Sequence, residues 1–180
     1  MDLKKILLTV LIASLSFSGI VGILIFLFSK FGTLEARVLL TTISIGGFSM
    51  AGLCSSLLFE KQKCVPFAIT GMSIDFIGFL VVLAYIWGVS SETWIRTALS
   101  LIVVCFALAH SSLLLLIAPK SSLVMTSLIT TLVFISIVAL MILALILNIS
   151  FGGTYAFRLM GVAAILDVLG TVLTPILNKL

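Results

Sequence analysis

Charged side chains are scarce in this sequence. The 180 residues include ten basic and six acidic ones, which is 9% of the chain. Soluble globular domains carry about 25% charged residues, so the composition excludes that class. The single histidine and three cysteines do not form a cluster with metal-ligand spacing, a haem-ligand pair or a CxxC motif. There is also no nucleophile elbow and no glycine-rich phosphate loop. We therefore expect no cofactor and no metal, and we predict a non-enzymatic protein.

Long apolar runs make up most of the chain, which is 62% hydrophobic. Each run is continuous rather than alternating, which favours membrane-spanning helices over the strands of a barrel. About 20 apolar residues cross a bilayer core as a helix. The sequence thus predicts an all-α integral membrane protein, a six-helix bundle forming one transmembrane domain over residues 1–180. The predicted spans are residues 6–28, 38–59, 65–87, 95–117, 123–147 and 156–177.

The basic residues are dispersed among short loops, so no nucleic-acid partner is expected. They are more frequent on the side of the membrane that holds both termini. Predicted inside are Lys4, Lys5, Lys61, Lys63, Lys120 and Lys179; predicted outside are Lys30, Arg37, Arg96 and Arg158. The positive-inside rule then places both termini in the cytoplasm. All tyrosines and tryptophans fall at the outer interface, where such rings anchor spans: Tyr85, Trp87, Trp94 and Tyr155.

Three arginines begin the second, fourth and sixth spans. Arg37 and Arg96 are 59 residues apart, and Arg96 and Arg158 are 62 residues apart. This spacing predicts a threefold repeat of a two-helix hairpin, all copies having the same orientation. The arginines anchor spans at the outer interface or form a ring of cations for an anion or acidic headgroup. We also predict that Thr33, Ser91 and Thr154 are the N-caps of these helices.

Three ionisable residues lie deep in predicted spans: Asp75, His110 and Asp167. A charge at this depth costs roughly 2.5–3.5 kcal/mol on insertion scales, so each residue needs a partner or a proton change. Asp167 shares a helical face with Thr171 and Thr174, which predicts a polar stripe toward the bundle interior. Three interpretations stay open: a proton or cation relay, hydrogen bonding that holds helices in register, and binding of a ligand or partner.

Two segments carry a resemblance: RLMGVAAILDVLGTVLTPIL from Arg158 to Leu177 and EARVLLTT from Glu35 to Thr42. They resemble a group of small six-span bacterial membrane proteins that have no assigned activity. The resemblance implies a bacterial inner membrane as the location. The three tandem hairpins are also similar in architecture to the HdeD acid-resistance membrane proteins, with no motif from which a residue role transfers.

The absence of catalytic motifs and soluble domains favours a structural, stress-related or accessory membrane component. The alternative is a small proton- or cation-coupled carrier or channel that uses Asp75, Asp167 and His110. Membrane lipid is the expected partner, and a second copy of the chain or another membrane protein stays open.

Overall fold

A computed structural model describes residues 3–28, 32–88, 91–149 and 153–179. The described residues form six α-helices, with turns at 61–64 and 116–121. The helices are α1 (Leu3–Phe28), α2 (Thr33–Glu60), α3 (Val65–Trp87), α4 (Glu92–Leu115), α5 (Ser122–Ile146) and α6 (Thr154–Leu177). Five of them, α2 to α6, are long and apolar enough to cross a membrane. The chain is therefore helical, with the apolar segments of a membrane protein.

Helices α2, α4 and α6 begin before their predicted apolar runs, because a polar first turn continues each helix outward. At α4 this turn starts after Ser91, whose Oγ accepts a hydrogen bond from Trp94 N at 3.3 Å, so the predicted N-cap is confirmed there. The other two predicted caps are wrong. Gly32 is the N-cap of α2 and Gly153 that of α6, without a side-chain cap, so these helices begin at the threonines themselves.

Helix α2 lies at the centre of the fold and packs against α1, α3 and α4. Small residues make this packing possible, because they allow helix backbones to approach closely in lipid. A Cβ added at Gly71 of α3 would lie 2.7 Å from Ser55 Oγ of α2. Helices α2 and α3 therefore approach closely at this glycine, and Ser55 is fully buried.

Helices α3 and α4 pack together through a cluster of buried side chains, Val82, Ile86 and Ala98. At the other end of α4, Lys63 from the α2–α3 turn donates through Nζ to Leu116 O at 3.0 Å. A lysine at this position complements the carbonyl groups and negative dipole end of the helix. The turn is therefore tied to the end of α4.

Helices α5 and α6 complete the structure, with α5 packing on α4 and α6 on α5. Gly170 of α6 meets the buried side chain of Thr131. One turn further along, Thr174 Oγ1 lies 2.8 Å from Ser127 Oγ. Only 11% of the most apolar 18-residue stretch of α6 is buried, against 39% for that of α2. Helix α6 is therefore the most exposed of the five apolar helices.

Candidate functional site

Two of the three predicted deep residues are joined by a hydrogen-bonded chain between α4 and α6. His110 Nε2 lies 3.0 Å from Thr171 Oγ1. Thr171 Oγ1 lies 2.8 Å from Asp167 O and 3.4 Å from Asp167 Oδ1. Thr171 therefore bridges the imidazole and the aspartate, and all three side chains are half-buried.

The Thr171 hydroxyl has two acceptors of Asp167 within reach. Thr171 has one hydroxyl proton, and its shortest contact to an obligate acceptor is with Asp167 O at 2.8 Å. In the tautomer that carries its proton on Nε2, His110 donates to Thr171 Oγ1. The hydroxyl can turn from the carbonyl to the Asp167 carboxylate, so the unit has two hydrogen-bonding states that differ by one rotation.

The polar stripe predicted on α6 faces the other helices, as expected. Thr174 and Ala163 are buried, and Thr174 bonds to Ser127 of α5. Thr171 belongs to the same stripe and reaches α4 instead. The helical period of 3.6 explains this arrangement, because residues four apart lie on one face.

His110 and Asp167 border a groove of about 460 Å³. Apolar side chains of α2, α4 and α5 form most of its walls, including Met50, Phe106, Ile135 and Val138. Grooves of about 300–1,000 Å³ with a few polar groups are typical of small-molecule sites. The arrangement places two titratable side chains at the edge of an apolar groove within the membrane region.

Asp75 is not part of this hydrogen-bonded chain. It lies on α3, where it is 4% exposed, and both of its carboxylate oxygens lack a hydrogen-bond partner among the described residues. The Cys105 thiol of α4 lies beside it, but Sγ donates to Ile74 O at 3.7 Å. A buried polar group without a hydrogen bond destabilises the fold by about 1–3 kcal/mol, and a charged group such as a carboxylate destabilises it by more.

Asp75 borders a different groove, of about 360 Å³, between α1, α2 and α3. Three phenylalanines share this groove: Phe48, Phe76 and Phe79. Their convergence was not predicted from the sequence, because Phe48 belongs to another helix and has no regular spacing to Asp75. One signal was present. Gly78, one turn after Asp75, is a small residue of the kind that allows close helix approach, and a Cβ there would lie 3.0 Å from Phe48 Cε1.

The three arginines differ in their surroundings. Arg96 Nη2 lies 2.6 Å from Glu92 Oε1, within the same helix. With the Asn148 amide turned so that its oxygen accepts, Arg96 Nη2 also lies 2.6 Å from that oxygen. Arg37 and Arg158 are exposed. Because the Arg96 guanidinium is already paired, an anion at the predicted cation ring would compete with Glu92.

The geometry thus defines two separate polar sites, one around His110 and Asp167 and one around Asp75. The resemblance of residues 158–177 and 35–42 to small six-span bacterial membrane proteins stays a prediction. No protein-family model, no curated protein and no solved structure matches this chain.

Proposed function

We propose that the chain crosses a bacterial inner membrane six times as three tandem hairpins, with both termini in the cytoplasm. Helix α1, with 26 residues, is long enough to be the sixth span. Contacts between alternate helices support the repeat. Ala51 of α2 and Ala109 of α4 pack in one cluster, 58 residues apart, and His110 bonds Thr171 across 61 residues. These separations are close to those between the arginines.

The function that the geometry supports best is proton exchange within the membrane, in a small proton- or cation-coupled carrier. The hydrogen-bonded chain of His110, Thr171 and Asp167 beside the 460 Å³ groove carries this proposal. Histidine changes charge near neutral pH, and carboxylates deep in membranes are common proton carriers. A proton arriving at His110 would favour the Thr171 hydroxyl turning to Asp167, whose charge would then stabilise the imidazolium.

Proton flux into proteoliposomes under an imposed potential tests this function. We expect flux with the native protein and none above empty liposomes with His110→Gln or Asp167→Asn, because each variant removes one titratable group. Thr171→Val keeps the side-chain shape and removes the bridging hydroxyl, so it should slow the flux.

Thr174→Val is the matched control for the loss of a threonine hydroxyl on α6. Thr174 is buried and bonds to Ser127 and to Gly170 O, so the control can lower stability but should leave flux unchanged. Equal flux in the native protein and in Asp167→Asn would refute the relay.

A structural role is the second candidate, and one observation favours it. The bond from His110 to Thr171 ties α4 to α6, a helix that otherwise packs mainly on α5. On this proposal the chain is a non-enzymatic accessory component whose deep polar residues hold helices in register. Flux at the level of empty liposomes, together with a lower stability of Thr171→Val than of the native protein, would favour this role over the carrier.

A further inference from the structure

We infer that Asp75 and the phenylalanines around it form a binding site for a hydrophobic organic cation. The site is the α1–α2–α3 groove of about 360 Å³, separate from the groove that His110 and Asp167 border. It does not depend on proton exchange at His110. Three properties of the groove carry the inference: an unpartnered acid, aromatic walls and access from the lipid.

The acid is the first property. Asp75 is 4% exposed, and neither carboxylate oxygen has a hydrogen-bond partner among the described residues. The neighbouring Cys105 thiol is a weak donor that is directed to Ile74 O, so a proton or a cation would stabilise the carboxylate far more. The low dielectric of the interior also extends the attraction, so a cation in the groove is stabilised without direct contact with the oxygens.

The aromatic walls are the second property. Phe48 of α2 and Phe79 of α3 meet edge to face, with ring centroids 5.9 Å apart and planes at 64°. Both border the groove together with Phe76 and Met72. Phenyl faces attract organic cations within about 6 Å of the ring centroid, and they contact apolar substituents at the same time.

The chemistry of the walls argues against a metal ion as the occupant. Calcium and magnesium need about six oxygen ligands, whereas the polar side chains bordering this groove are those of Asp75 and Ser49. Among the described residues, no group of three or more acidic, histidine or cysteine side chains is placed to hold a metal. A cation that carries its own apolar surface suits the groove better.

Access from the lipid is the third property. Phe76 is 64% exposed on the membrane-facing surface of α3, at the edge of the groove. Val10 of α1 also lines the groove. A hydrophobic cation dissolved in the bilayer could therefore enter sideways between α1 and α3, without passing through water. A groove of about 360 Å³ lies within the size range of small-molecule sites.

Equilibrium dialysis with radiolabelled tetraphenylphosphonium tests the site, using the full chain in an uncharged maltoside detergent and micelles alone as the blank. Tetraphenylborate has the same shape and the opposite charge, so it separates charge recognition from apolar partitioning. We expect the native protein to bind the phosphonium and to bind the borate at least about tenfold more weakly, since Asp75 attracts one and repels the other.

Asp75→Asn should weaken phosphonium binding by about tenfold or more, because the amide is neutral and nearly isosteric. Phe79→Leu should weaken it roughly two- to fivefold through the lost ring face. Glu92→Gln is the matched control. It makes the same change at an exposed acid outside the groove, and its affinity should equal that of the native protein.

The native protein alone can overturn the inference, whatever the variants do. Equal binding of the two probes, or no binding of the phosphonium above the micelle blank, would mean that the groove does not recognise positive charge. An unchanged affinity in folded Asp75→Asn would remove the acid from the site. Thermal unfolding of each variant establishes that it is folded before its affinity is compared.

Discussion

The crossing of α5 and α6 predicts a strong effect of adding one methyl group at Gly170. A Cβ there would lie 3.0 Å from Thr131 Cβ, 3.1 Å from its Cγ2 and closer still to its Oγ1. Thr131 is 1% exposed and donates to Ser127 O at 2.8 Å, so it has no free space to turn into. Overpacking of this kind costs about 1–3 kcal/mol. Gly170→Ala should therefore lower the free energy of unfolding.

Gly161→Ala is the control on the same helix, because a Cβ at Gly161 meets nothing within 4 Å. Replacing a helical glycine by alanine contributes about 0.5–1 kcal/mol of stability, and this gain is common to both variants. The two should thus differ by the overpacking cost of about 1–3 kcal/mol. Unfolding in mixed micelles, followed by far-ultraviolet circular dichroism, measures the difference.

Thr131→Ala should relieve most of the clash, because it removes Oγ1 and Cγ2 and leaves only the Thr131 Cβ position, 3.0 Å from the added methyl. In that background Gly170→Ala should cost less than about 1 kcal/mol, which makes a double-mutant cycle the sharpest measurement. Equal stability of Gly170→Ala and Gly161→Ala would refute the reasoning, since it would mean that α6 does not approach α5 at this point.

Two further predictions concern the ends of α4. Ser91→Ala should lower the free energy of unfolding by about 0.5–2 kcal/mol, because Trp94 N loses its cap, whereas Ser91→Asp, whose carboxylate accepts the same bond, should keep most of the native stability in the same denaturation assay. Lys63→Met keeps the alkyl chain and removes the donor to Leu116 O, so it should cost about 0.3–1 kcal/mol at low salt. That cost should shrink at high salt, whereas Lys61→Met, at an exposed position, should show a smaller effect; equal costs would contradict the dipole argument.

Helix positions follow from the sequence because hydropathy and length determine them. The predicted span 65–87 coincides with α3 (Val65–Trp87), and the span 95–117 is shifted by a few residues from α4 (Glu92–Leu115). Helix α4 begins earlier because Ser91 caps a polar first turn, which hydropathy does not detect.

The composition of the sites is only partly predictable. The helical period placed Thr171 on the face of Asp167, as found. Its partner His110 could not be predicted, because hydropathy does not determine which helices are neighbours. The separation of Asp75 from the other two has the same cause, since the rotation of α3 toward α2 and α4 depends on packing at Gly71 and Gly78.

The bond between His110 and Thr171 has a consequence for biosynthesis. The two residues are 61 positions apart, and a ribosome adds about 5–20 residues per second, so His110 is made roughly 3–12 s before its partner. During that interval the imidazole of α4 lacks the hydroxyl that it contacts in the finished fold. The nascent hairpin must keep this group hydrated, protected by the insertion machinery, or bonded to a temporary neighbour. Synthesis of α6 then supplies the Thr171 hydroxyl, and a stall in translation before Thr171 would leave the histidine without this partner.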